Sequence, residues 1–403
     1  MGPPGVFRRR WQRLAIAAVI FCMVSLSIVS SREERHHVEP PTDLQTRHPL
    51  LWKHIHTSNV KGGDAKPNTI IEAAHLVMHL MNSTKSQLMS HSEIPLIVHQ
   101  TWKNTQVDTW PELVSDSVEV WLEHSVNEPM AYFLWDDDGI YQFLDEFEPS
   151  FTARFAALPR MVEKSDVFRI MVVKYIGGIY GDVDTHPLRS PATWVEADDL
   201  EPWYDFETGS LYNSTKPVRA MFGIEADCPP ESDTYWRMGY TNPVQLTQWA
   251  LASAPGHPIL SRFMDRLNNV LDEVAAHYGG NLSVPAAYEE LYYLDPLTLT
   301  GPAAITEVAE DWLEDRVGLR WNALTGLYDN GKSKLVDDIM VLPITGFSPG
   351  RGVYGNMGSK PLDDHDARLQ HLAQGSWKGF NMRVEFGKFC RTFLGLCKDW
   401  SKV

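Results

Sequence analysis

Ser165-Asp-Val-Phe-Arg169-Ile-Met-Val-Val-Lys-Tyr-Ile-Gly177-Gly178-Ile-Tyr-Gly-Asp182-Val-Asp184-Thr-His-Pro187 holds a helix, a glycine stop, a very short strand and an Asp-x-Asp pair in 23 residues. Val167, Ile170, Met171 and Val173 give the helix, read as Met161 to Ile176, an apolar face. Asp166 and Arg169 are three apart and share another face. Gly177-Gly178 suits a helix end that needs a left-handed residue. Only Ile179 and Tyr180 then remain for a strand before Gly181. In an extended backbone Asp182 and Asp184 point to the same face. Both carboxylates then reach one divalent cation, which in turn clamps a diphosphate.

Each of these features has a plainer reading. Asp166 and Arg169 alone are a surface ion pair worth a few tenths of a kcal/mol, about 0.2–0.5. Asp182-Val183-Asp184-Thr185 also opens the haloacid dehalogenase phosphatases. There the aspartates follow a long hydrophobic strand, whereas here two glycines and a two-residue strand precede them.

Outward from this stretch, Ile94-Pro95-Leu96-Ile97-Val98 reads as a buried first strand running into His99-Gln100-Thr101-Trp102. Pro111 to Glu123 reads as a helix and Ala131 to Trp135 as a second strand. Phe151 to Ile176 reads as helical, broken at Pro159. Strands alternating with helices imply a largely parallel sheet, with ligands at the strands' carboxyl ends. The span from Ala192 to Tyr240 reads as turn-rich, and Asn242 to Leu267 as two helices around Pro255-Gly256. Pro285 to Trp312 reads as helical with a break at Gly301-Pro302, and Ile339 to Leu342 as another buried strand. Thr69 to Met81 reads as a helix with His75 and His79 four apart. No glutamate follows His75, so a stem helix with two solvated histidines is the better reading than a zinc pair.

The chain of 403 residues is 43% hydrophobic, enough for a sizeable core. Its net charge of −16 disfavours nucleic acid as a partner. Residues 1–30 hold Arg8, Arg9, Arg10 and Arg13 and no acid, leaving the remainder at −20. Leu14 to Ser30 is uncharged and as a helix spans roughly 25 Å. Positive residues before it and acidic ones after it put the N-terminus in the cytosol and the body in a lumen. A signal peptide cleaved after Ser27 is the competing reading. Sequons at Asn82, Asn213 and Asn281 agree with a secretory route. Cys390 and Cys397 are close enough in sequence to bridge in an oxidising compartment, with Cys228 left free or paired with one of them.

The motifs from Ile94 to Trp102, Ser165-Asp166-x-x-Arg169 and Gly177-Gly178-Ile179-Tyr180-x-Asp182-x-Asp184 resemble the hallmarks of family-32 glycosyltransferases. Three more pieces resemble the family's fungal initiation-specific α-1,6-mannosyltransferase branch. They are Gln248-Trp249 leading into Ala254-Pro255-Gly256-His257-Pro258, Val341-Leu342-Pro343-Ile344-Thr345-x-Phe347-Ser348-Pro349-Gly350, and His371-x-x-x-Gly375-Ser376-Trp377-Lys378. The resemblance spans about residues 93–380. Arg351-Gly352-Val353-Tyr354 and Leu372 depart from the pattern and leave the acceptor open.

The resemblance implies an α/β fold of GT-A type, one Rossmann-like domain with a mixed sheet. The expected order is a cytosolic tail (1–13), a transmembrane signal anchor (14–30), a stem (31–92), the catalytic domain (93–380) and a C-terminal extension (381–403). It implies a single-pass type II Golgi protein, a GDP-mannose donor, Mn²⁺ and a glycan or glycoprotein acceptor, with a Golgi enzyme complex as a further partner. Asp182 and Asp184 would hold the metal, with His371 as an additional contact. Asp166 and Arg169 would hold the donor sugar and its phosphate, Arg169 acting beside the two aspartates in catalysis. His99, Trp102 and Trp377 would line the nucleotide pocket. The expected reaction is retaining transfer of mannose to an N-glycan core in α-1,6 linkage. Inositol phosphoceramide as acceptor and a non-catalytic scaffold are the alternatives.

Overall fold

The computed structural model describes residues 44–57, 67–83, 87–128, 130–351, 357–373 and 381–400. The tail and signal anchor, together with Trp377, lie outside the described residues. Among the described residues no helix is long and apolar enough to cross a membrane.

Eleven strands are described: β1 Ile97–Thr101, β2 Ala131–Trp135, β3 Gly178–Gly181, β4 Thr185–Pro187, β5 Trp203–Tyr204, β6 Leu211–Tyr212, β7 Ala220–Asp227, β8 Val244–Ser253, β9 Lys334–Val336, β10 Ile339–Leu342 and β11 Leu369–His371. Seven of them form one mixed sheet in the order β2-β1-β3-β8-β7-β10-β9. β1 runs parallel to β2 and β3, and β10 parallel to β7. β8 is antiparallel to both β3 and β7, so β3 and β7 point the same way and end at one edge. This is the α/β, GT-A-like mixed sheet.

Alternation along the strands sorts side chains into two cores. Ile97, Tyr180, Phe222 and Leu251 face one apolar cluster; Val98, Ile179, Met221 and Ala252 face the other. The helix Met161–Tyr175 starts where Glu163 accepts from the Arg160 amide at 3.0 Å. Its middle, Asp166 to Val173, is buried all round, so Asp166 and Arg169 face the interior and not solvent. A surface ion pair is thereby excluded. After it, Gly177 and Gly178 take φ of 78° and 107°. A Cβ on Gly178 would stand 2.3 Å from the Ile97 carbonyl oxygen, so only glycine lets β3 come this close to β1.

Three readings are corrected. Val244–Ser253 is a ten-residue strand, not the first of two helices; every residue except Trp249 is buried, the polar Gln245, Thr247, Gln248 and Ser253 included, so polarity marks no outer face that would separate strand from helix. Helix begins only at Pro258, capped by His257 accepting from the Ile259 amide at 3.3 Å. The turn-rich span hides β7, the eight-residue neighbour of β8. Packing of the body starts at His48 and not at Glu93. The helix Pro49–Thr57 seats Leu51 in the core, and the Leu50 and Leu51 amides donate to Glu119 at 2.9 and 2.8 Å. The helix Ile70–Ser83 buries Ala74, and His75 there meets Glu146 at 2.8 Å. Cys390 and Cys397 form a disulfide and Cys228 is free and buried.

Candidate active site

The two aspartates do not lie on one extended strand. β3 stops at Gly181, and Asp182-Val183-Asp184 make a turn into β4. The Thr185 hydroxyl closes that turn by donating to the Asp182 carbonyl at 2.6 Å. Gln100, at the end of β1, donates to the same carbonyl at 3.1 Å, and the Asp182 amide donates to the Trp249 carbonyl at 2.8 Å. The Trp121 indole N–H donates to Thr185 at 3.0 Å. Val183 turns inward, and the carboxylates on either side of it converge.

β4 pairs antiparallel with β11, setting His371 against Thr185, and the Leu372 amide donates to the Asp184 carbonyl at 2.9 Å. The His371 imidazole therefore lies 3.4 Å from the Asp184 carboxylate. One ligand atom from each of Asp182, Asp184 and His371 falls within 4.8 Å of the others, among the described residues the group spaced to hold a metal ion. Two carboxylates and an imidazole suit a hard-to-borderline divalent cation. The His75–His79 pair forms no such group among the described residues.

Arg169 stands behind Asp182. Its guanidinium reaches Asp166 Oδ1 at 3.0 Å and Asp182 Oδ1 at 2.9 Å, with Tyr180 O–H donating to that second oxygen at 3.0 Å. The fork is thus committed to two carboxylates, so Arg169 positions the Asp-x-Asp turn rather than gripping a phosphate on its own. Burial works against the guanidinium's charge, but Asp182 and Asp166 more than offset it and its pKa rises. Burial pushes the Asp166 carboxyl up to about 7, against the pull of Arg169 and the Thr300 hydroxyl, which donates at 2.9 Å. Burial also raises the Asp182 carboxyl. Arg169 Nε is buried without a hydrogen-bond partner among the described residues.

His99 does not line a pocket. It is fully buried, its Nε2 donates to the Gly177 carbonyl at 3.0 Å, and its Nδ1 accepts from the Trp135 indole N–H at 3.2 Å. An indole can only donate, which fixes this tautomer. Burial lowers the imidazole pKa to about 4. Its role is to tie β1 to the glycine hinge ahead of β3. Trp102 is half-buried at the end of β1, its ring edge-on to Trp110. Its indole N–H is buried and has no partner among the described residues.

Two site residues escape a reading of the sequence. Trp249 stacks on His371, ring centroids 4.4 Å apart and planes 18° apart. Glu225, near the end of β7, accepts from the Trp249 indole N–H at 3.2 Å and from Gln245 at 2.7 Å. Burial raises the Glu225 carboxyl. Gln248-Trp249 was visible as a motif, but only the β3–β8 pairing sets Trp249 beside Asp182.

A family profile described as "Glycosyltransferase sugar-binding region containing DXD motif" matches residues 111–203. The initiation-specific α-1,6-mannosyltransferase of Schizosaccharomyces pombe is 31% identical over 314 residues, 76% of this chain and 69% of that protein. The chain belongs to glycosyltransferase family 32. The Candida albicans initiation-specific α-1,6-mannosyltransferase is 24% identical over 72% of this chain and 73% of its own. Inositol phosphoceramide mannosyltransferase 3 of S. pombe is 28% identical, over 25% of this chain and 29% of its own. This glycosyltransferase is a hexosyltransferase, so it takes a sugar from a donor to an acceptor. Asp182 and Asp184 lie within the matched region and His371, on β11, lies outside it; the three meet at the sheet edge, where open α/β sheets bind ligand.

Proposed function

We propose that this enzyme transfers mannose from GDP-mannose to a mannose of an N-linked glycan core, forming an α-1,6 bond with the donor's anomeric configuration retained. The observation that carries the reading is the convergence of Asp182, Asp184 and His371 within 4.8 Å, in a chain whose α-1,6-mannosyltransferase relatives align over about three-quarters of it. Relatives named for inositol phosphoceramide align over about a quarter, which ranks that acceptor second. The intact set of Asp166, Arg169, Asp182 and Asp184 argues against a scaffold without activity.

Asp182, Asp184 and His371 hold a divalent cation, taken to be Mn²⁺. When bound, that cation supplies positive charge against the departing diphosphate. Arg169 and Tyr180 both engage Asp182 Oδ1, which leaves Oδ2 as the oxygen that would be offered to a cation. The orphaned indole N–H of Trp102 takes an acceptor atom of the nucleotide. In the reaction the mannosyl C1–O bond breaks and its electron pair leaves on the β-phosphate. The acceptor hydroxyl oxygen bonds to C1 on the same face, and its proton passes to the departing phosphate oxygen.

An uncleaved anchor at 14–30 with a lumenal body in the Golgi is part of this proposal. Two sequons fit it, since Asn213 and Asn281 are both exposed. The test is full-length protein in detergent offered a panel of nucleotide sugars with Mn²⁺, with and without an oligomannose acceptor. GDP-mannose should be consumed, consumption should rise with acceptor and stop with EDTA, and an α-1,6-specific mannosidase should remove the added sugar. Preference for another nucleotide sugar, or full activity in EDTA, would overturn the proposal.

A further inference from the structure

The C-terminal segment carries its apolar stripe on the outside. The helix Met382–Phe389 runs on into a π-helical turn, Cys390–Leu394. Gly387, Cys390 and Arg391 are the buried positions, and a Cβ on Gly387 would stand 3.3 Å from the Arg391 guanidinium and 3.6 Å from Trp400. Met382, Phe386, Phe389 and Phe393 recur at steps of four, three and four, the spacing of one helix face. They are 65%, 48%, 43% and 71% exposed, and Leu394 and Leu396 enlarge the patch. Phe389 and Phe393 touch ring to ring at 5.1 Å, and Phe386 meets Trp400 at 5.8 Å, so the patch is continuous. The Cys390–Cys397 disulfide ties the following turn back onto the helix and holds the patch in one shape.

A surface helix of a soluble domain points its apolar side at the core; this one is reversed. Charge says what covers it. Residues 381–403 hold five basic and two acidic side chains, +3 in a chain of −16. Among the described residues Arg383, Lys388 and Lys398 are exposed around the aromatic rings together with Glu385 and Asp399, while Arg391 is buried. The stripe stands on a convex helix, so it suits a flat, deformable apolar phase better than a groove. An aromatic face ringed by Lys and Arg is the composition of a helix that lies in a bilayer interface. The basic groups meet phosphate headgroups, and Trp400 sits where such rings favour headgroup depth.

We propose that the 382–396 face docks on a bilayer surface bearing anionic headgroups, laying the C-terminal end of the domain against the lipid. This is independent of the donor, the metal and any N-terminal anchor. The test reconstitutes the full chain into vesicles of equal parts phosphatidylcholine and phosphatidylserine that carry a phospholipid with a photoactivatable acyl chain. Adducts are then mapped by mass spectrometry, which reads this segment separately from residues 14–30. Adducts should fall on Phe386, Phe389 and Phe393. The triple variant Phe386→Glu, Phe389→Glu, Phe393→Glu should lose them by about tenfold or more while keeping its melting temperature, because each ring withdrawn from an apolar phase costs about that factor. Labelling should also weaken in phosphatidylcholine alone. A wild-type segment free of adducts overturns the proposal, as do cross-links joining this segment to a second copy in its place. Labelling unchanged in phosphatidylcholine alone overturns the headgroup part.

Discussion

The His371 imidazole lies 3.4 Å from the Asp184 carboxylate because three residues of β11 pair with β4. The histidine is held on its other side by the Trp249 ring. A ligand set by backbone pairing and stacking is already positioned before a cation arrives. His371→Ala should therefore raise the Mn²⁺ concentration needed for half-maximal transfer by roughly 10–100-fold, the cost of losing an organised metal contact. Metal titrations of transfer check this; an unchanged midpoint would remove His371 from the site.

Arg169 bridges Asp166 and Asp182 while buried. Arg169→Ala leaves two carboxylates facing each other without a counter-charge and should cost about 3–5 kcal/mol of stability. Arg169→Lys keeps the charge and loses the fork, so one of the two contacts goes. That variant should melt close to wild type but lose at least about tenfold in kcat, because Asp182 is no longer aimed. Melting curves and kinetics on the same preparations separate the two effects.

Glu225 and Trp249 allow a finer test. Glu225→Gln keeps an acceptor for the indole N–H, while Glu225→Ala leaves that donor unpaired at a cost of about 1–3 kcal/mol. The alanine variant should lose metal affinity through the freed Trp249–His371 stack, and the glutamine variant should hold most of it. Parallel Mn²⁺ titrations of the two variants decide. Equal losses would mean that the carboxylate charge matters and the tryptophan contact does not.

His99 makes stability fall with acidity. Its folded pKa, about 4, is depressed below the ordinary 6.5 by burial, so the unfolded chain takes up its proton first. The contribution is fully present above pH 6.5 and is lost as pH falls through 4, about 3 kcal/mol in all. Denaturant unfolding at steps between pH 7 and 4 should show this slope, and His99→Asn, less stable at neutral pH, should show a flatter one. Parallel slopes for the two proteins would refute it.

Much of the site was legible because its signals are local. A glycine stop, a very short strand and two aspartates leave few geometries, and Asp166 and Arg169 were rightly paired. The sequence was misleading where chemistry depended on burial. His99 sits at the right strand end for a ligand contact, yet its neighbours Trp135 and Gly177 use both ring nitrogens. Arg169 was expected on a phosphate because nothing local shows Asp182 folding back onto it. β8 reads as helix because its polar residues Gln245, Thr247, Gln248 and Ser253 are buried like its apolar ones, so polarity does not trace an exposed face. Glu225 could not be singled out, since only the course of β7 beside β8 brings it to Trp249.

The pairing of β11 with β4 also has a consequence for biosynthesis. A ribosome has made Asp182 and Asp184 long before it reaches Leu369, so a nascent chain has no assembled cation grip until its final stretch emerges. On the proposed metal role, a premature stop upstream of Leu369 would silence the enzyme even though every residue of the Asp-x-Asp turn has been translated correctly.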